Sequence, residues 1–412
     1  MSNEKLTKIE KSWILYDVAN SAFILLVSTT IPIFFRSLAE AEGFSPEQAT
    51  GIWGTVTSVA VIILAVLSPI LGAIADYNGM KKKMFTASLL LGVAGLISLS
   101  VTTEWAAFLV LFVIARIGYT ACNVFYDSML TDITTDEKMD MVSSHGFAWG
   151  YIGSCIPFII GIVLIFTLPF GLTTQAATQL SFLITAVWWI ALTVPLLRRY
   201  KQTYYLEDRK GKVADAFRRI GQTFKKICKN KRLLFFILAY FCYIDGVNTI
   251  ISMSTSYGAE VGISDTSMIL ALLLTQFIAF PCAIISGRLA KRFGAIKLVK
   301  FFILCYIAIC LFGYQLDKAW EFWLLAVAVG ICQGGIQALS RSYYGKIIPK
   351  EESNEYFGFF DIFGKFADFF GPLIISICAF TLGSSTYGIL ALVVLFVVGF
   401  VLLLRSEKHA KE

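Results

Sequence analysis

Apolar and polar positions fall along this chain in long blocks. Twelve apolar runs, at about 13–35, 51–75, 84–102, 105–131, 142–167, 177–197, 233–257, 266–287, 296–314, 320–345, 355–380 and 385–404, can be marked off. Each is long enough to cross a bilayer as a helix, for which roughly 20 residues suffice. Open β structure leaves backbone groups unsatisfied in lipid, so the runs are predicted to be helices. The connections are short except for 198–232. The pattern predicts an all-α polytopic membrane protein with 12 transmembrane helices as two six-helix units, residues 1–199 and 233–412, joined by a linker over 200–232.

Polar residues interrupt the runs at helical spacing. In run 1, Asp17, Asn20 and Ser21 stand at i, i+3 and i+4. Run 4 carries Arg116, Tyr119, Thr120, Asn123 and Asp127; run 7 carries Asp245, Asn248, Thr249 and Ser252; run 10 carries Gln333, Gln337 and Ser340. Residues so spaced share one helix face. Ser and Thr on such a face suit helix–helix hydrogen bonds. Carboxylates and an arginine, which cost roughly 2.5–3.5 kcal/mol in a bilayer, suit a watery cavity. Asp17 lies six residues past Lys11, about 9 Å of helix, and Asp245 thirteen past Arg232, about 20 Å. Asp245 is therefore expected at mid-membrane, and Asp17 near the end of its span, as a gate residue or a ligand. Run 11 carries Asp361, Gly364, Lys365 and Asp368, a face that either neutralises itself or takes part in gating.

Composition agrees with the runs. Hydrophobic residues make up 57% of the 412 and charged ones 15%, with a mean hydropathy of +0.73, against about 25% charged in soluble domains. If the N-terminus is cytoplasmic, 30 of the 35 Lys and Arg fall in cytoplasmic segments, and only Arg36 and Lys318 outside. That bias predicts cytoplasmic termini. It also accounts for the net charge of +7, so nucleic acid is not an expected partner. The polar start Met1–Lys11 leads straight into run 1, so no cleavable signal is expected. Nine Cys, eight of them in apolar runs, predict no disulfide framework. With two His and no nucleophile–base cluster, neither a metal site, a cofactor nor an enzyme activity is expected. No phosphate-binding Gly-x-x-x-x-Gly-Lys-Ser/Thr occurs either, so ATP is not an expected ligand.

The linker has its own pattern. Val213, Phe217, Ile220, Phe224 and Ile227 form one helical face, with Arg218, Arg219, Lys225 and Lys226 around the others. This suits a helix along an anionic leaflet or under the bundle; a solvated connector is the alternative.

Two segments repeat. Gly72-Ala-Ile-Ala-Asp76-Tyr-Asn-Gly79-Met-Lys81-Lys82-Lys83 returns as Gly287-Arg-Leu-Ala-Lys291-Arg292-Phe-Gly294, offset by 215. Asp127-Ser-Met-Leu-Thr-Asp132 returns as Arg341-Ser-Tyr-Tyr-Gly-Lys346, offset by 214 and with reversed charge. The near-equal offsets point to a duplicated six-helix unit, and the opposite charges to a gate between halves. The glycine-and-basic loop resembles the signature between helices 2 and 3 of the major facilitator superfamily, with Tyr77 where an arginine is usual. The resemblance implies that Asp76 docks near the start of helix 11 and holds an outward-facing state, and that helices 1, 4, 7 and 10 line the cavity.

Three further stretches, Trp13-Ile-Leu-Tyr16-Asp17-Val-Ala-Asn20-Ser-Ala, Gly146-Phe-Ala-Trp-Gly150-Tyr151-Ile-Gly153 and Gln333-Gly-Gly-Ile-Gln337-Ala-Leu-Ser340-Arg341-Ser, are similar to the vacuolar amino-acid effluxers of the fungal autophagy pathway and their bacterial relatives. Asp127 stands where that family suggests Asn. The resemblance implies efflux of amino acids or similar small solutes by alternating access. The expected substrate ligands are Asn20, Arg116, Tyr119, Asn123, Asp245, Asn248, Gln333 and Gln337. Asp17, Asp245 and Asp361 are expected proton or cation carriers, and Asp76, Lys82, Asp127, Arg341 and Lys365 gate residues. A monomer in a bacterial plasma membrane is expected, with lipids as its surroundings. Thirty-five Phe, several flanking run 11, keep an amphiphile or lysolipid carrier open as an alternative, and a non-transporting membrane sensor as a third reading.

Overall fold

The structure, a computed structural model, describes residues 5–207, 212–260, 262–382 and 386–410. Before the linker come α1 (Lys8–Ser28), α2 (Thr30–Ala41), α3 (Pro46–Ala75), α4 (Met80–Leu99), α5 (Trp105–Ile133), α6 (Asp136–Thr167) and α7 (Thr174–Arg199). The linker holds α8 (Lys212–Lys229). After it come α9 (Lys231–Glu260), α10 (Asp265–Phe293), α11 (Ala295–Gly313), α12 (Ala319–Ile347), α13 (Ser353–Leu382) and α14 (Thr386–Lys408). Among the described residues, eleven segments are long and apolar enough to cross a membrane. The first, Lys8–Ala41, combines α1 and α2. The sequence pattern reads this stretch as one helix; the structure breaks it at Thr29, with φ −133° and ψ −73°. The expected eleventh run corresponds to α13, several of whose residues lie outside those described, so the eleven segments do not include it.

Two apolar cores organise the helices. One is built on α1–α7, around Phe23, Phe85, Phe112, Tyr126 and Trp189. The other is built on α9–α14, around Phe236, Tyr243, Tyr306, Ile336 and Phe396. The outward faces stay apolar: Ile62, Val66, Val110, Phe301 and Val394 are all more than half exposed, as lipid-facing positions are. The start of α1, the end of α7, the start of α9 and the end of α14 meet at one end of the bundle. Arg199 donates to Ser12 (2.7 Å), and Ser406 donates to the Arg232 carbonyl (2.8 Å). We refer to this as the linker end.

The repeated loop takes the same role in both copies. Gly79 (φ 66°) precedes α4 and Gly294 (φ 88°) precedes α11, a conformation that glycine adopts without strain. The leading glycines sit where the halves cross. A Cβ on Gly72 would come within 2.8 Å of the Asn354 carbonyl carbon on α13, and one on Gly287 within 2.7 Å of the Ser144 Cβ on α6. Only a bare backbone permits so close a crossing.

The closed gate and the polar face above it

At the linker end the halves are joined through charged groups removed from water. Arg341, on α12, is 4% exposed. Its guanidinium reaches Asp127 on α5 (2.9 Å), Asp17 on α1 (3.5 Å), and the hydroxyl and carbonyl of Ser143 on α6 (3.0 and 3.1 Å). Three rings enclose it, Phe147, Trp13 and Tyr126, with centroids at 4.3, 4.7 and 5.4 Å. Tyr126 also donates to Asp17 (2.9 Å). A planar fork among carboxylates and rings is an arrangement that arginine fits and lysine does not.

The reversed-charge repeat is joined differently from the simplest pairing. Arg341 meets Asp127, but Lys346 meets Asp140 of α6 (2.7 Å) rather than Asp132. Ser342 donates to the same carboxylate (2.6 Å). Lys350 adds a bond to Asp136 (2.9 Å). Asp132 stays within its own half, where it takes Lys81 (2.7 Å), the Tyr200 hydroxyl (2.6 Å) and the amides of Thr203 and Tyr204 (2.9 Å each). It is thus Lys81, not Lys82, whose ammonium enters this junction. Lys81 is fully buried and continues to the Ser353 hydroxyl of α13 (3.2 Å), while Lys82 is half-buried and forms no ion pair among the described residues.

Asp76 follows α3 and accepts from the Asn354 amide and side chain (2.9 Å each) and from the Glu355 amide (3.2 Å), at the start of α13. A carboxylate at a helix N-terminus meets unsatisfied N–H groups and a favourable dipole. Ser128 of α5 donates to the Asn354 side chain, closing the same junction. Burial pushes the Asp76 carboxyl up to about 7 against the opposing pull of Lys81, Asn354 and Arg219. Opened to water, the group returns to the ordinary range near 3.9. Between those values the closed state binds the extra proton, so closure gains as pH falls and is lost as pH rises through about 7. Hydrogen exchange of the peptide around Asn354 and Glu355, corrected for intrinsic rates, should therefore slow from pH 8 to pH 5, and Asp76→Asn should flatten that dependence.

Moving along the helices away from the linker end, further polar side chains follow. One turn from Asp17, Asn20 donates to Asn123 of α5 (2.7 Å). One turn from Arg341, Gln337 accepts from Tyr151 of α6 (2.9 Å), and Gln333 lies a turn further, with a buried Oε1 that has no partner. Arg116 is half-buried, about 16 Å along α5 from Asp127, and its Nη1 is buried and unpartnered. Asp361 accepts from Ser68 of α3 (2.7 Å) across the halves and holds Lys365 at 3.7 Å on its own helix. Lys365 thus serves its neighbour and crosses to nothing in the first half among the described residues. The side chain of Asp368 lies outside the described residues.

Two of the expected ligands are buried among helices. Tyr119 is a core residue, its ring 4.8 Å from Phe23 and 6.0 Å from Trp189. Asp245 is fully buried and accepts from the Gly371 amide (2.8 Å), where Pro372 interrupts α13. Asn248 follows it on α9, half-buried. Sequence reasoning did not single out Asp140, Ser143 or Lys81 for the gate. Trp13 and Tyr126 stood inside or beside quoted stretches, and an arginine expected in an apolar helix was the signal for an aromatic shell.

The profile of the family described as "Vacuole effluxer Atg22 like" matches residues 47–411. The chain belongs to this family. The MFS-type transporter YxiO of Bacillus subtilis is 45% identical to this Atg22-like protein over 408 residues, 97% of this chain and 95% of that one. Autophagy-related protein 22 of Yarrowia lipolytica is 24% identical over 66% of this chain and 51% of its own length, so the chain spans about half of that fungal relative. Among solved structures, the human organic anion transporter MFSD10 superposes with a TM-score of 0.74 at 15% identity, covering 96% of this chain and 99% of the other. FucP in the outward conformation gives 0.72 at 15% identity, covering 97% of both. The Atg22-like protein is a multi-pass membrane transporter of the major facilitator type, not an enzyme.

Proposed function

We propose that this Atg22-like protein exports a small zwitterionic solute of the amino-acid class across a bacterial plasma membrane, as a monomer and by alternating access, with proton coupling. The observation that supports this most is the one-ended seal. Bonds between halves concentrate at the linker end, while beyond it Arg116 Nη1 and Gln333 Oε1 are buried without a hydrogen-bond partner among the described residues. Taking the linker end as cytoplasmic, as the Lys and Arg bias indicates, the molecule is outward-facing, the conformation of its neighbour FucP. Arg116 then meets the substrate carboxylate, and Asn20, Asn123, Asn248, Gln333 and Gln337 supply hydrogen bonds. Asp361, half-buried and bonded to Ser68 across the halves, is the best-placed proton carrier; Asp17 couples through Arg341, and Asp245 through α13. In proteoliposomes, Arg116→Gln should lower counterflow of the transported amino acid by roughly tenfold to a hundredfold, the range of a charged hydrogen bond, with unchanged thermal unfolding. Unchanged counterflow would remove Arg116 from the site.

One observation favours an amphiphile instead. A cavity of about 280 Å³ opens within the second half, lined mostly by apolar residues such as Met253, Leu272, Ile309 and Val329, with Thr249, Thr275, Gln276 and Gln333 among its polar ones. It would hold an apolar body with one hydrogen-bonding head. Competition of counterflow by lysolipids and not by amino acids would favour this reading.

A further inference from the structure

The transport reading makes no use of α8, and this helix has two unlike faces. Ala216, Ile220, Thr223 and Ile227 turn inward at spacings of 4, 3 and 4, and Ala216, Thr223 and Ile227 are buried. On this side α8 bonds to both halves. Arg219 reaches Glu355 of α13 (2.6 Å), Asp76 (3.5 Å) and the Ala73 carbonyl of α3 (3.3 Å). Lys226 reaches Glu352 (2.8 Å), and the Tyr77 hydroxyl donates to Asp215.

The outer face repeats the same spacing with Phe217, Gly221, Phe224 and Cys228, all exposed; Phe217 is 56% open, and Phe224 is 52% open with one side of its ring against Phe359 of α13, centroids 6.2 Å apart. Beside it Arg218, Lys225 and Lys229 are exposed and form no ion pair among the described residues. Residues 216–229 contain no Asp or Glu. Of the acids facing α8, Asp76, Asp215, Glu352 and Glu355 are engaged by the inward bonds above, and Glu207 shares a cleft with Arg218. Open to water, the two phenylalanine rings expose apolar surface that a headgroup–acyl boundary would take up. The C-terminal end of α8, Lys229, stands two residues before Lys231, where the membrane segment of α9 begins.

We infer that the outer face of α8 binds the surface of an anionic bilayer, with Phe217 and Phe224 in the headgroup–acyl boundary and Arg218, Lys225 and Lys229 against lipid phosphates. The charge is complementary, and the basic residues near the membrane are those that an anionic leaflet attracts. The inner face of the same helix spans Asp76 of the first half and Glu355 of the second. Lipid contact therefore fixes the position of the clamp that holds the gate.

Cys228 provides the probe, because among the described residues it is the exposed cysteine and the other eight are buried or half-buried. The full chain, labelled at Cys228 with an environment-sensitive NBD group, is placed in nanodiscs of phosphatidylcholine alone or mixed with phosphatidylglycerol, with Cys228→Ser as the labelling blank. The expected result is quenching by spin labels carried near the lipid headgroup, stronger with phosphatidylglycerol. Arg218→Gln, Lys225→Gln and Lys229→Gln should each weaken the membrane-bound fraction about fivefold. Phe217→Ser should sharply lower lipid quenching while leaving the thermal unfolding midpoint in place, as that ring is 56% exposed. Emission typical of water, quenched by aqueous iodide in both lipids, would overturn the inference and favour an acidic protein or no partner for this face. Equal lipid quenching with and without phosphatidylglycerol would overturn the anionic requirement.

Discussion

Replacing Arg341 by Met should open the linker end and stop transport. Arg341 is the shared partner of Asp17 and Asp127, and its loss leaves two carboxylates in the junction without a counter-charge. Breaking a buried pair from one side costs about 3–5 kcal/mol, or roughly a hundredfold to a few thousandfold in the ratio of closed to open molecules. Opening to water relieves the carboxylates, so the cost falls on the closed state. Spin labels on the linker-end termini of α6 and α12 should report a longer distance in pulsed electron resonance. Adding Asp17→Asn and Asp127→Asn to Arg341→Met should recover part of the short-distance population, since no unpaired charge remains. If Arg341→Met leaves the distance distribution as it was, the cluster does not hold the gate.

The second large effect is expected at Lys81. The pair Lys81–Asp132 is fully buried on both sides. Lys81→Met should cost about 3–5 kcal/mol, mitigated by the Tyr200, Thr203 and Tyr204 donors that Asp132 retains. This pair lies mostly within one half, so the loss should appear first as a lower unfolding midpoint. The lost Ser353 contact adds a weaker shift toward opening. Lys81→Met combined with Asp132→Asn should be less destabilised than Lys81→Met alone, because the unpaired charge is gone while the side-chain oxygen still accepts from the remaining donors. A double variant as unstable as the sum of its parts would argue against the pairing.

The fold was legible in the sequence wherever length and apolarity decide. Runs long enough to span, short connections and the repeated glycine loops give the helices and their two groups. The break at Thr29 has its mark in Pro32, which cannot bond the Ser28 carbonyl four residues back and clashes with it; apolarity alone runs across it. The gate was half legible. Asp127 and Arg341 stood out as reversed charges at one repeat offset, and they pair. Their neighbours Asp132 and Lys346 form the same sequence pattern yet choose other partners, Lys81 and Asp140, since spacing along one helix says nothing about which helix lies opposite. Tyr119 shows the limit of a shared face. It stands one turn from Arg116, but a ring that can fill the space between Phe23 and Trp189 is drawn into the core.

Gly72 and Gly287 are one residue seen twice, each at a point where backbone passes backbone between the halves. The contact that holds the closed end is therefore sensitive to a single methyl group, at two sites that touch neither Arg116 nor any other expected ligand. Related transporters with identical substrate chemistry can for this reason differ in tempo, through residues that a comparison of binding sites alone would pass over.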